Sequence, residues 1–186
     1  MSATDNERSD PAEGGEPPSP AAPSGLLVEV GMEDPQFPVE AADRLADWLQ
    51  RAARRLGPAE GDLSVAVVDD TAMSELHERY KGEPGPTDVL TFDLRDDATA
   101  APDPAQLDGE IVVCWPEAQR QAAQADPARD PEHELLLYAV HGLLHLLGED
   151  DQTPEAYAKM HAREDRVLAD IGVGAVFAPS REAAAP

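Results

Sequence analysis

The chain has 186 residues, which is enough for one compact domain with short extensions. Its 38 acidic and 14 basic residues give a formal net charge of -24, unlike the basic surface of a conventional nucleic-acid-binding domain. One cysteine excludes an internal disulfide, and there is neither a signal-peptide pattern nor an apolar run of the ~20 residues that a membrane span needs. We therefore expect a cytoplasmic protein with no membrane association.

The first 25 residues are rich in proline, glycine, serine and acids. A segment with so little apolar surface cannot offset the entropy lost on ordering, and we expect an acidic disordered tail over residues 1–25. This tail holds five acids and one arginine, a net charge of -4, which leaves -20 on the rest of the chain. Residues 26–174 would form the folded domain, and residues 175–186 a C-terminal tail.

Apolar periodicity predicts a regular order of strands and helices in that domain. A strand is expected at Leu26–Val30, a helix at Val39–Leu56, a buried strand at Asp62–Asp69, and a short helix capped by Asp70 that runs to about Tyr80. Two more strands are expected at Asp88–Leu94 and Leu107–Trp115. Three helices follow them, at Pro116–Ala125, Pro131–Leu147 and Pro154 to about Ile171. The order indicates a single α+β domain with a mixed four-stranded sheet packed with helices.

The segment "HGLLHLLGEDD", residues 141–151, has the spacing of a metal site. His141 and His145 are one helical turn apart, so both imidazoles can reach one ion. Gly148 is the residue type that most readily ends a helix in the left-handed conformation, and a turn there would bring Asp151 beside the histidines. Two imidazoles and one carboxylate leave a coordination position for water, as in catalytic zinc sites.

Other assignments of the same residues stay open. Glu149 and Asp150 are close enough in sequence to replace Asp151 as the third ligand, and His161 on the next helix is a further alternative. A histidine pair on a mostly apolar helix can also be buried and satisfied by backbone carbonyls, without any metal. The glycine and the acids that follow the pair favour the metal site.

The helix that carries the two histidines is expected to begin after Asp130, a good N-cap. Gly142 stands where the H-E-x-x-H motif of zinc peptidases has the glutamate that acts as general base. Peptide hydrolysis by the usual route is therefore disfavoured.

Three segments resemble the YbeY family of endoribonucleases and ribosomal RNA maturation factors. The histidine segment is similar to the family signature H-G-x-L-H-L-x-G-Y-D-H. The stretch "YKGEPGPTDVLTFDL", residues 80–94, is similar to Y-R-G-x-x-x-x-T-D-V-L-S-F, and "GEIVVC", residues 109–114, to G-D-I-V-I-C. The three occur in the family's order, and the resemblance covers about residues 26–174.

This resemblance implies a single-strand-specific, metal-dependent endoribonuclease that acts in late maturation of small-subunit (16S) ribosomal RNA and in ribosome quality control. The implied partners are ribosomal RNA and the small ribosomal subunit, not DNA. The implied cofactor is one divalent metal ion, with Zn²⁺ the best match, held on a zincin-like metal helix by His141, His145 and Asp151. Lys81 stands where the family has an arginine implicated in catalysis, and it is the expected catalytic residue.

Two positions depart from the family pattern. Asp151 replaces the usual histidine, but carboxylate oxygen is an acceptable zinc ligand, so we expect binding with altered affinity or metal preference. Lys81 keeps a positive charge but lacks the bidentate fork with which arginine matches a phosphate. The loop that carries Lys81, Thr87 and Asp88 would have to approach the metal helix, although Thr87 and Asp88 are equally explained as a turn that starts a strand.

The strongly negative net charge is unexpected for a protein that binds RNA, and it can be explained in two ways. Two further functions therefore stay open beside the nuclease. An acid-rich surface with only two lysines is expected of a protein adapted to concentrated salt, where diffuse repulsion of RNA is screened. Otherwise the substrate is not nucleic acid, and the protein is another metallohydrolase such as an atypical peptidase. A non-catalytic ribosome assembly factor with a structural metal is the third hypothesis.

Overall fold

A computed structural model describes residues 25–58, 60–95 and 105–176. Within these ranges the chain forms four strands and five helices: β1 (Leu26–Met32), α1 (Val39–Leu56), β2 (Glu60–Val68), α2 (Asp70–Lys81), β3 (Val89–Asp93), β4 (Gln106–Cys114), α3 (Trp115–Gln124), α4 (Pro131–Leu146) and α5 (Pro154–Asp170). The predicted tails lie outside the described residues, except at their inner ends. At one of these ends, Val176 is buried and its N–H donates to Asp165 at 3.0 Å.

The strands form one mixed sheet in the order β1-β2-β4-β3. Strand β2 pairs in parallel with β1 and with β4, and β3 runs antiparallel to β4 at one edge. The parallel strands are joined through helices because a parallel connection must cross from one end of the sheet to the other. The single-domain α+β architecture with a mixed four-stranded sheet is therefore confirmed.

Alternate residues of the central strands face the two sides of the sheet. Val65 and Ile111 point toward the larger core, which contains side chains of α1, α3, α4 and α5. Their neighbours Ala66 and Val112 point to the opposite side, where Met73 of α2 covers a smaller cluster. Burial on both faces explains why β2 and β4 are nearly continuous apolar runs.

Helix α4 is the central helix of the larger core, in contact with α1, α3, α5, β3 and β4. Its apolar residues are buried around most of its circumference, as expected for a helix enclosed by other elements. It begins after Asp130, whose carboxylate accepts a hydrogen bond from the Glu132 N–H at 2.9 Å, as predicted. A Cβ at Gly142 would lie 2.8 Å from Thr91 Cγ2, so glycine at this position allows α4 to approach β3 closely.

Strand β1 ends two residues later than predicted, at Met32, and β2 begins two residues earlier, at Glu60. Two predicted junctions between a strand and a helix are wrong by one residue. Asp69, not Asp70, caps α2, and its carboxylate accepts the Ala72 N–H at 2.8 Å, because β2 already ends at Val68. Trp115 is the first residue of α3 and not the last of β4, because Pro116 starts the helix there. None of the described helices combines the length and the apolar character that crossing a membrane requires.

Candidate metal centre

The imidazoles of His141 and His145 converge on one point. Their Nε2 atoms are 2.9 Å apart, and the ring centroids are 4.5 Å apart with the planes at 85°. Both side chains are largely buried but reachable, with exposed fractions of 19% and 29%. The prediction that the two histidines share one helical face is confirmed.

The other ring nitrogens of the pair have acceptor partners. His141 Nδ1 lies 2.7 Å from Glu164 Oε1, and His145 Nδ1 lies 3.0 Å from the backbone oxygen of Glu149. Because a carboxylate and a carbonyl accept hydrogen bonds, each Nδ1 carries a hydrogen. In the neutral imidazoles this leaves a lone pair on each Nε2, and two lone pairs at 2.9 Å repel unless a proton or a cation lies between them. The donor set therefore fits a metal ion.

The pKa values of the two histidines are shifted in opposite directions. Burial acts to lower the pKa of His141, but the hydrogen bond and the charge of Glu164 outweigh it, and the pKa is raised. Burial and the neighbouring His141 lower the pKa of His145. His141 is therefore the more basic of the two, and a proton shared between the two Nε2 atoms lies on His141. A bound cation would replace that proton.

Asp151 is the acid that faces the pair. Its carboxylate oxygens lie 3.8 Å from His141 Nε2 and 4.0 Å from His145 Nε2. Ligand atoms at ~2.0 to 2.1 Å from a tetrahedral ion are about 3.3 Å from one another, a value between the histidine–histidine and histidine–aspartate separations. The three side chains form one of two clusters in the described ranges whose ligand atoms could hold a single ion.

The alternative acids are engaged elsewhere. The Glu149 carboxylate pairs with Arg163, and Asp150 Oδ1 accepts the Gln152 N–H at 3.1 Å. The turn at Gly148 accounts for this difference. Gly148 has a φ of +87°, and the Glu149 N–H donates to Leu144 O at 3.0 Å, so the chain reverses at the end of the helix. The reversal points the Glu149 carbonyl at His145 and returns the chain to the pair at Asp151.

Sequence reasoning missed Glu164 of α5. Its side chain is 0% exposed, and it accepts a second hydrogen bond from His161 Nδ1 at 2.5 Å. The sequence carried a signal, because Glu164 lies on the apolar stripe of α5 with Met160 and Leu168, where a glutamate is out of place. His161, Glu164 and His141 form the second cluster that could hold an ion.

The loop before β3 approaches the pair only in part. The charge of Asp88 is among the effects that raise the pKa of His141. The Asp88 carboxylate also accepts hydrogen bonds from Thr87 Oγ1 at 2.9 Å and from the Val89 N–H at 2.8 Å, in a turn that starts β3. Lys81, the last residue of α2, is exposed, and its side chain makes no ion pair or hydrogen bond within the described ranges.

Cys114 is a structural residue. It is fully buried at the end of β4, and burial raises the pKa of its thiol to about 12. A thiol that stays protonated at neutral pH is a poor nucleophile. The interpretation of Cys114 as a buried strand residue is therefore confirmed.

These features define a single-domain α+β protein with a mixed sheet and a potential metal site beside its buried central helix. The family described as Endoribonuclease YbeY matches residues 30–172. The chain belongs to this family, as its three motifs indicated.

Individual relatives agree with that assignment. Endoribonuclease YbeY of Moorella thermoacetica is 36% identical over 156 residues, which cover 78% of this chain and 99% of that protein. Endoribonuclease YbeY of Frankia alni is 44% identical over 115 residues, 58% of this chain and 62% of the relative. The solution structure of TM1509 from Thermotoga maritima has a TM-score of 0.52 at 24% identity and covers 77% of this chain and 91% of that one. At that identity the structural likeness supports the fold alone.

Proposed function

We propose that the protein is a metal-dependent endoribonuclease specific for single-stranded RNA, acting in late 16S ribosomal RNA maturation and ribosome quality control. Membership in the Endoribonuclease YbeY family supports the reaction class. The observation that carries the proposal is the convergence of two Nε2 atoms and the Asp151 carboxylate, with both Nδ1 atoms already bonded to acceptors. Such a site is arranged to bind a cation.

His141, His145 and Asp151 would hold one divalent ion, and α4 would be the zincin-like metal helix. Two neutral nitrogens and one carboxylate oxygen suit Zn²⁺, which accepts all three ligand types in catalytic sites. When bound, the ion supplies water activation and Lewis acidity for hydrolysis of a phosphodiester. The negative charge of Asp88 near His141 further favours a cation at this position.

Lys81 would act as the catalytic cation. Its ammonium has no carboxylate partner in the described ranges, so no existing ion pair has to break before a phosphate binds. A lysine binds phosphate as a point charge and can stabilise negative charge that develops on the phosphoryl oxygens. The loop that follows Lys81 ends at Asp88, and the charge of Asp88 acts on His141.

A peptidase of the usual zinc type is a weaker proposal. The general base of that class follows the first histidine, and here the position is Gly142. A Cβ at Gly142 would meet Thr91 Cγ2 at 2.8 Å and Ile111 Cγ2 at 3.0 Å, so this side of the helix has no room for a glutamate. The packing of α4 on the sheet therefore leaves the peptidase reaction without its base.

The test combines metal content with RNA cleavage in three proteins: the wild type, Asp151→Ala and the matched control Asp150→Ala. We expect one ion per chain and cleavage of a single-stranded RNA by the wild type and the control. Asp151→Ala should lose both, because one of three ligands is missing. A folded wild type that takes up no Zn²⁺, Mn²⁺ or Ni²⁺ would refute the metal site.

The partner and location are tested separately. We propose that the protein meets the small ribosomal subunit and its RNA in the cytoplasm, which predicts cosedimentation with isolated subunits. Cosedimentation by a metal-loaded protein that cleaves no RNA would replace the nuclease with the assembly factor. Cleavage of denatured protein instead of RNA would favour the peptidase.

A further inference from the structure

We infer that Glu164 is a positioning residue that holds the Nδ1–H tautomer of His141 and so directs the His141 Nε2 lone pair toward the metal. The inference rests on the proposed metal site. Glu164 lies on α5, 23 positions along the chain from His141, and its carboxylate lies 2.7 Å from His141 Nδ1. A carboxylate behind a ligating imidazole fixes both the tautomer and the ring orientation, and it raises the basicity of the ligand.

The burial of Glu164 argues for a specific role. Its side chain is 0% exposed, and placing a carboxylate in an apolar interior is costly unless hydrogen bonds satisfy it. Here each oxygen has its own donor, His141 Nδ1 on Oε1 and His161 Nδ1 on Oε2. An apolar residue at this position would fit the neighbouring Met160 and Leu168 without that cost. The Glu164 carboxylate is therefore explained by its hydrogen bonds to the two imidazoles and not by packing in the core.

His161 acts as the second clamp on Glu164. Its Nδ1 lies 2.5 Å from Oε2, and its ring is nearly parallel to that of His141, at 19° and 6.0 Å between centroids. The Tyr157 ring packs edge-on against His161 at 4.1 Å. With both oxygens engaged, the carboxylate cannot turn away from His141. The short spacing of His161 and Glu164, one turn apart on α5, makes this clamp local and stiff.

In the alternative arrangement the metal ion is bound by His141, His161 and Glu164. The ligand atoms of these three residues also lie close enough together to hold a single ion. The two arrangements use different nitrogens of His141. In the positioning arrangement the metal binds Nε2 and Nδ1 keeps its hydrogen. In the alternative the metal binds Nδ1, and Glu164 becomes a ligand. The nitrogen that the metal contacts therefore decides between them.

Nitrogen-15 NMR of the wild-type protein, without metal and loaded with cadmium-113, shows which nitrogen of His141 carries a hydrogen and which one binds the metal. We expect His141 Nδ1 to carry a hydrogen in both states and cadmium coupling to appear at His141 Nε2. Coupling at Nδ1, or a metal-free His141 that is protonated only at Nε2, would overturn the inference. If cadmium does not bind, the proposed metal site fails, but the tautomer of the metal-free protein still tests the role of Glu164.

Variants supply a second readout in the metal affinity measured by competition with a chelator. Glu164→Met removes the acceptor at similar length and should weaken Zn²⁺ binding by about 10- to 100-fold. Glu134→Met is the matched control, because Glu134 is also buried but pairs with Arg129, and it should keep wild-type affinity. His161→Phe removes the clamp on Glu164 Oε2 but keeps the acceptor of His141 Nδ1, so it should weaken Zn²⁺ binding less than Glu164→Met does. A greater loss in His161→Phe than in Glu164→Met would identify His161 as a ligand and refute the positioning role.

Discussion

Substituting Gly142 by alanine tests whether close packing of α4 on the sheet sets the position of the histidine helix. A Cβ there would lie 2.8 Å from Thr91 Cγ2 and 3.0 Å from Ile111 Cγ2, closer than ordinary van der Waals contact. Both neighbours are β-branched residues on strands, so their side chains have little freedom to move aside. The helix must then shift away from β3 and β4.

The magnitude follows from two opposing effects. Overpacking of this kind costs about 1 to 3 kcal/mol, whereas replacing glycine by alanine inside a helix gains about 1 kcal/mol. The expected net effect is a loss of about 1 kcal/mol, or a fall of about 2 to 4 °C in Tm for a domain of this size. Unfolding should be followed by circular dichroism in the presence of a chelator, because bound metal would add its own stabilisation.

A control isolates the contribution of helix propensity. Ala158 is exposed within α5, so Ala158→Gly should cost about 1 kcal/mol through propensity alone. If Gly142→Ala instead stabilised the protein by the amount that Ala158→Gly costs, the close contact with Thr91 and Ile111 would not limit the approach of α4. Packing against the sheet would then not exclude a glutamate at position 142.

Four further outcomes are expected. Asp151→His should still bind one ion per chain by elemental analysis, since imidazole is also a zinc ligand, and loss of the ion would contradict the role of Asp151. Protons compete with the ion for His141 Nε2, and since the His141 pKa is raised, metal affinity should begin to fall at a pH above the usual histidine value of ~6.5 as the solution is acidified; a pH-independent affinity would refute this competition. Lys81→Ala should slow RNA cleavage by about 10²-fold at unchanged metal content, whereas Lys81→Arg should retain activity. Tm should rise with salt because a net charge of -24 repels itself, and a Tm that is highest at low ionic strength would exclude adaptation to concentrated salt.

Local sequence patterns accounted for most of the secondary structure. Helix α1 has the predicted bounds, Val39–Leu56, because its apolar stripe is strong and Gly57 ends it with a left-handed φ of +120°. The errors lie at element ends, among them the junctions where β2 passes into α2 at Asp69 and β4 into α3 at Trp115. Only Asp69 separates β2 from α2, and Trp115 follows Cys114 directly, so no run of loop residues marks either boundary.

By itself, the sequence determined the parts of the candidate site that depend on helical geometry. A separation of four residues places His141 and His145 on one face, and a glycine after the helix turns the chain back, whatever surrounds them. The choice of Asp151 over Glu149 was left open, because it depends on Arg163 of α5 drawing the Glu149 carboxylate away.

Only the tertiary structure decided which distant groups complete the site. Glu164 meets His141 because α5 packs against α4, and the spacing of residues along one helix carries no information about a contact with another. The same holds for Asp88, which reaches the neighbourhood of His141 through the pairing of β3 with β4. Periodicity is a local property of the backbone, whereas these contacts depend on how side-chain volumes let helices and strands pack together.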